Sequence, residues 1–408
     1  MLPDGWKRVR ISQKTIKIGS GITPKGGREV YKMNGIPFIR SQNVGWGSLL
    51  LNDVAYIDQS QHASMRGSSV KNGDVLLNIT GASIGRATAY FGVTDQANVN
   101  QHVCIIRPSQ ELSSQFLLSV LLSRAGQRQI EQFQAGGNRQ GLNFENVGSI
   151  EIDLPPLSEQ RRIAGILSTW DRAIETVEAL IANARAQKKA LMRTLLTGKR
   201  RLPGFSEAWN ETPIAQMGRV VAGGTPDTAN PDYWGGSIAW ATPTDVTKLS
   251  NRYIYTTERA LTHHGLSSSA ATMVPKNSVV VCTRASVGAL AIAGVALATN
   301  QGFKSIVPTS GFDHEFIYYL LAHEKPTLQR AAGGSTFAEI SKSDFERLRF
   351  LVPSLGEQRG IAAAISAADE QLATRKLEQR MLRQEKAALM QQLLTGKRRV
   401  KIAEDIAA

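Results

Sequence analysis

Few residues in this chain sit at spacings that could support chemistry. Two Gly-Lys pairs, Gly198-Lys199 and Gly396-Lys397, suggest a phosphate loop, but Arg follows each where a Ser or Thr would be needed to hold magnesium. No Asp or Glu has Lys two positions later, so the common acidic-spacer-lysine ending of a metal-dependent nuclease is missing. Asn230-Pro231-Asp232-Tyr233 falls one residue short of the tetrad that grips a flipped adenine for amino-methylation, and it reads as a turn. His263 and His264 are adjacent and point apart, while Asp313-His314-Glu315 stands at a helix start, where acidic groups suit the dipole. Cys104 and Cys282, the two cysteines, lie a domain length apart and imply neither a disulfide framework nor a thiolate cluster. The chain therefore reads as a binding scaffold with no catalytic, cofactor or metal residues of its own.

The charge indicates what is bound. Forty-eight basic against 34 acidic residues leave +14 in 408, an excess that favours a polyanion such as nucleic acid, with a membrane surface as the competing reading. The longest uncharged run, Ala285 to Phe303, is broken by Gly288, Gly294, Asn300 and Gly302 and reads as strand, turn, strand, so no membrane partner is expected. The first ten residues lack a signal pattern, which with the cysteine usage suggests the cytoplasm.

The elements that must position any binding residues occur twice. Leu195 to Arg201 (LLTGKRR) recurs unchanged as Leu393 to Arg399, and residues 155–201 match 353–399 at 22 of 47 positions. Upstream, Asn100-Gln101 answers Asn300-Gln301, and Ile36-Pro37-Phe38 answers Ile238-Ala239-Trp240. Each copy opens with short β-branched runs, such as Asp74 to Ile79, Val103 to Ile106 and Ser278 to Cys282. One helical stretch follows in each, near Ser114 to Phe133 and His314 to Ala331. A mixed α/β class follows: globular domains at 1–155 and 204–352, and helical spacers at 156–203 and 353–408. Net charge over these segments, in chain order, is +5, +6, 0 and +3.

In the first spacer Ile163, Leu167, Trp170, Ile174, Val177, Ile181, Ala184, Leu191 and Leu195 fall at alternating steps of four and three, interrupted at Lys188. Ser158 is the expected N-cap of this helix. Ile361, Ile365, Ala368, Leu372, Leu382, Leu389 and Leu393 occupy the matching positions of the second spacer, where Arg375, Gln379 and Lys386 intrude. Such heptad seams predict two helices of about 37 residues, roughly 55 Å long at 1.5 Å per residue, that pair with one another.

Gly223-Gly224-Thr225-Pro226, Tyr233-Trp234-Gly235-Gly236 and Ile238-Ala239-Trp240 together resemble the opening of a target recognition domain. Leu154-Pro155-Pro156-Leu157 with Glu159-Gln160-Arg161 resembles the start of the spacer that follows one, and Leu-Leu-Thr-Gly-Lys-Arg-Arg its end. The chain as a whole resembles the specificity subunit of a type I restriction-modification enzyme. That resemblance implies two recognition domains reading a bipartite DNA site, spacers paired as an antiparallel coiled coil with pseudo-two-fold symmetry, and two methyltransferase subunits docked around them. Restriction/translocase subunits would join that core, and S-adenosylmethionine, ATP and magnesium would be bound by the partners. Copy one departs from the pattern, with Gly21-Ile22-Thr23-Pro24 and no Tyr-Trp-Gly-Gly, so it is expected to read other bases.

Polar residues at matched loop positions are the candidates for DNA contact: Arg40, Gln42, Asn43, Thr80, Ser83, Arg86 and Gln101 in copy one, and Thr242, Thr244, Asp245, Thr283, Arg284 and Gln301 in copy two. Asn138, Arg139 and Gln140, with Ser335 and Thr336, extend the two sets at the Gly-rich turns. Arg suits the paired acceptors of guanine, and Asn or Gln suits adenine. The alternative is a divergent DNA methyltransferase or nuclease built around Asn230 to Tyr233.

Overall fold

The computed structural model describes residues 2–401 apart from 93, 95, 136–140 and 334–338. Its folded units do not follow the four segments of the chain. One unit joins residues 1–178 to 377–408, and the other is 179–376, so each long helix contributes a stretch to both.

In the first unit, strands Thr15–Ser20, Val103–Pro108, Val75–Asn78 and Ala87–Ala89 form one antiparallel sheet in that order. A second sheet orders Ala55–Ile57, Ile36–Ile39, Ala97–Val99 and Ser69–Val70, with its central pair parallel. Lys7–Arg10 pairs with Glu151–Leu154 and ties the start of the domain to its end. The second unit repeats all three sheets. Gly218–Ala222, Phe303–Pro308, Val279–Cys282 and Leu290–Ala293 form the first sheet, to which Tyr253–Ile254 adds a parallel edge strand. Arg259–Leu261, Trp234–Ala241, Leu297–Thr299 and Met273–Val274 form the second sheet, and Asn210–Pro213 pairs with Arg349–Val352. Val75, Leu76 and Leu77 are all buried, as are Val279, Val280 and Val281, because each of these strands has a core on both faces.

The single helix expected in each copy is two. Ser114–Leu122 and Arg124–Ala135 break at Ser123, whose extended backbone lets Gly126 press against the carbonyl of Val120. His314–His323 and Lys325–Ala331 break at Glu324, just before Pro326, which has no N–H to donate. The run from Ala285 to Phe303 contains strands Leu290–Ala293 and Leu297–Thr299, as expected. Among the described residues no helix is long and apolar enough to cross a membrane.

The spacers are the helices Leu157–Leu195 and Leu355–Leu393, each of 39 residues. The first begins two residues earlier than a Ser158 cap would start it, because the Pro156 carbonyl already accepts from Gln160. Both end on a left-handed glycine, Gly198 (φ 67°) and Gly396 (φ 68°). There the N–H two residues on reaches back to the last turn, from Arg200 to Thr194 and from Arg398 to Gln392, a closing motif that only glycine enters without strain.

Candidate nucleic-acid interface

The domain fold brings four segments to one place in each unit: the Thr-Pro turn after the first sheet strand, the loop after the central strand of the second sheet, the loop after Val75–Asn78 or Val279–Cys282, and the Asn-Gln turn. In the first unit the Thr23 hydroxyl donates to the side chain of Gln101, and in the second Thr225 donates to Gln301. Asn100 and Asn300 close their turns identically, each side-chain oxygen accepting the N–H two residues on, at 3.2 and 3.0 Å.

Around that turn in the first unit, the His102 ring lies 2.5 Å from the Thr80 hydroxyl and 3.2 Å from the Gln101 amide. The Asn78 amide donates to the Ser41 carbonyl and draws the Arg40 to Asn43 loop alongside. Arg40 donates to the Asp53 carbonyl at 2.7 Å and lies over the Tyr31 ring, and Gln42 reaches the Asp53 carboxylate. Asn43 is buried with its amide given to the carbonyls of Leu50 and Asp53, so it shapes the loop instead of facing outward. Among the described residues the half-exposed Ser83 and Arg86 side chains have no hydrogen-bond or ion-pair partner, which leaves both able to reach a ligand.

In the second unit Thr242 and Asp245 form a capping box on the short helix Pro243–Thr247, and Asp245 also accepts the N–H of Glu258. Both are spent on holding the loop. Thr244 is exposed in the first helical turn, and Thr283 is fully buried against the Gly302 carbonyl. Gly302 stands where copy one has His102, and a Cβ there would come within 4 Å of both Pro243 and Arg284, which shows how closely the loops converge. Arg284 is exposed and pairs with Glu339, across a β-bridge whose counterpart in the first unit joins Thr80 to Gly141. Glu339 and the buried Lys304 escaped sequence reasoning, which sought polar residues at matched positions, whereas Lys304 answers Cys104 in mid-strand. Asn138, Arg139, Gln140, Ser335 and Thr336 lie outside the described residues.

The glycine-rich motif of copy two is a packing device. A Cβ on Gly223 would lie 1.9 Å from the Asn300 carbonyl oxygen, one on Gly224 2.4 Å from the backbone of Ala270, and one on Gly236 2.3 Å from that of Leu261. Trp240 donates its indole N–H to the Gly224 carbonyl and meets Trp234 edge-on at 4.9 Å, with Arg259 stacked over Trp234. Copy one keeps the first glycine, Gly21, against the Val99 carbonyl, but has exposed Ile22 and buried Phe38 where copy two has Gly224 and Trp240.

Asn230 to Tyr233 is a turn: the Asn230 side chain accepts from Asp232, and the Tyr233 ring packs on His264. Asp313 caps its helix, and Glu315 takes hydrogen bonds from Arg252 and Tyr253, so both acidic groups of that cluster are engaged. Burial pushes the Cys104 and Cys282 thiols up to about 12, far from a reactive thiolate.

Both helical seams are built as the heptads require. Ile163, Leu167, Val177, Ile181, Ala184, Leu195, Ile361, Ile365 and Leu393 are buried, and Trp170, Ile174, Leu191, Ala368, Leu372, Leu382 and Leu389 are half-buried. The polar seam residues Lys188, Gln379 and Lys386 cross to the facing helix. In the first unit Lys386 pairs with Asp171, and Gln379 and Arg383 both reach Glu178; in the second Lys188 pairs with Asp369 at 2.5 Å. As one number rises the other falls, so the helices run antiparallel in each unit. The repeated motifs meet at the junctions. Buried Glu159 accepts from Trp6 and Arg399, and buried Glu357 from Trp209 and Arg201. Gln160 and Gln358 accept the N–H of Ser113 and Asp313 and clamp each helix to its domain.

A family model described as the type I restriction modification DNA specificity domain matches this chain twice, over residues 3–184 and 206–380. The putative type I restriction enzyme MjaX specificity subunit of Methanocaldococcus jannaschii is 25% identical across 98% of this chain and 95% of its own length. The MjaIX specificity subunit of the same organism is 36% identical across 44% and 42%. The S subunit of the type I restriction-modification system of M. genitalium shares the fold, with a TM-score of 0.60 at 14% identity over 97% of this chain and 98% of that one. With the same loops converging in two copies of one fold and the family's domain matched in each, the chain belongs to the type I restriction-modification DNA specificity family, as its DNA-recognition subunit.

Proposed function

We propose that the chain reads a DNA site in two parts, one per unit, and holds modification and restriction subunits on its helices without chemistry of its own. The observation that carries this is the doubled loop cluster. Thr23 with Gln101 and Thr225 with Gln301 anchor matching turns, and in this reading Arg40, Thr80 and Arg86, or Thr244 and Arg284, meet base edges from the loops around them. In this reading S-adenosylmethionine, ATP and magnesium belong to the partners. Exposed Leu377 and Met381, one turn apart, offer apolar surface for such partners, and an open cleft of about 710 Å³ offers them a mixed one, with Trp46 and Phe91 beside charged Asp171, Glu175 and Arg383.

Enrichment from a randomised duplex library by the full chain tests this reading. Two separated groups of preferred bases are expected, and replacing residues 1–155 by another recognition domain should change one group alone. A change in both groups would overturn independent reading. Methyl transfer from S-adenosylmethionine by the purified chain would overturn the non-catalytic role.

A further inference from the structure

The two loop clusters differ most beside the Asn-Gln turn. Where the first unit places Thr80, His102 and Cys104, the second has Arg284, Gly302 and Lys304, and where Gly141 bridges to Thr80, Glu339 bridges to Arg284. Lys304 is 6% exposed within strand Phe303–Pro308, a position at which an ammonium is expensive unless a counter-charge stands by. Glu339 supplies one. Its two carboxylate oxygens lie 3.7 Å from the Lys304 ammonium and 3.8 Å from the Arg284 guanidinium.

Both separations are longer than a hydrogen bond, so the carboxylate is attracted by two cations while its lone pairs stay uncommitted to them. Arg284 and Glu339 both keep more than a third of their side-chain surface open, and Gly302 adds no side chain of its own beside them. The backbone fixes this display. Ala285, next after Arg284, is held at φ 61° where the first unit has Gly81 at φ 71°, a left-handed conformation that alanine adopts only under constraint. The trio sums to one positive charge, so Lys304 offsets the repulsion that a lone carboxylate would meet among phosphates.

We propose that Glu339 is a specificity-determining residue of the second unit. With Arg284 it reads one C·G pair in the major groove. The carboxylate accepts from the exocyclic amino group of cytosine, and the guanidinium donates to O6 and N7 of guanine. Lys304 is a positioning residue that acts through Glu339. Thr80 and His102 present no charged pair of this kind, so the first unit does not read C·G in this way. The inference rests on the two-part DNA reading proposed above.

The test is enrichment from a randomised duplex library by the full chain and by its Glu339→Gln, Lys304→Met, Arg284→Ala and Gln101→Ala variants, with thermal melting beside each. Wild type should select an invariant C·G in one of the two groups. Glu339→Gln should melt as wild type does and lose roughly tenfold or more of its discrimination against T·A at that position, because an amide also donates to thymine O4. Lys304→Met should loosen the same position more weakly, Arg284→Ala should relax the guanine, and Gln101→Ala should affect the other group. A Glu339→Gln variant that keeps every wild-type preference, or that relaxes the group Gln101→Ala relaxes, overturns the assignment. A wild type that selects no bases overturns the DNA reading itself.

Discussion

The junctions between domain and helix are nearly the same in both units, and the loop clusters are not. Trp6 donates to Glu159 at 3.1 Å and Trp209 to Glu357 at 3.1 Å, while Arg399 and Arg201 close on the same carboxylates at 2.8 and 2.7 Å. In the loop clusters, by contrast, the first unit has Thr80 and His102 where the second has Arg284, Lys304 and Glu339. Equal chemistry persists where both units perform one task, clamping a domain to a helix pair. Chemistry diverges at the loops, which in the proposed reading tell two different base sequences apart.

If the junctions are equivalent, matched substitutions should cost matched amounts. The largest effect is expected from Ile163→Ala and Ile361→Ala, both fully buried where helix meets domain, at roughly 2–5 kcal/mol each. Denaturant unfolding of the full chain measures both, and losses differing by more than half would break the equivalence. Next come Trp6→Phe and Trp209→Phe. Each keeps the aromatic bulk and removes one donor from a buried carboxylate, which should cost about 1.5–3 kcal/mol. A negligible loss in either, by the same measurement, would show that the arginine alone satisfies that glutamate.

The smallest effect is expected in the seams. Lys386→Met and Lys188→Met each remove a half-exposed cross-helix ion pair and add an apolar side chain at a heptad position, so stability should change by about 1 kcal/mol or less, in either direction. A loss above about 2 kcal/mol would mean that these pairs fix the register of the helices.

Much of this was legible in the residues. The duplication, the strands around Val75 and Val279, the two long helices and their seams follow from period and repeat, because a heptad states which stripe of a helix must be buried. Single polar residues were less legible. Asn43, Thr242, Asp245 and Thr283 have the same side-chain types as base readers, yet their polar atoms are taken up by nearby backbone, which residue type does not disclose. Lys304 was passed over for a related reason: nothing in a β-branched run marks one lysine as facing a glutamate 35 residues later.

The sequence by itself determined that two like domains alternate with two like helices, since those features are written in repeated local pattern. It left open which repeat's Thr-Gly-Lys-Arg-Arg would meet which Glu-Gln-Arg, because both copies carry both motifs and the pairing is the same by residue type. Tertiary structure decided it. Antiparallel packing sets the exit of each helix beside the start of the other, giving Arg399 to Glu159 and Arg201 to Glu357 across 240 and 156 residues. The same packing joins residues 1–178 and 377–408 into one unit, while the other is the continuous stretch 179–376. Burial of an apolar stripe fixes that a helix needs a partner, whereas the choice of partner depends on which surfaces the folded domains bring within reach.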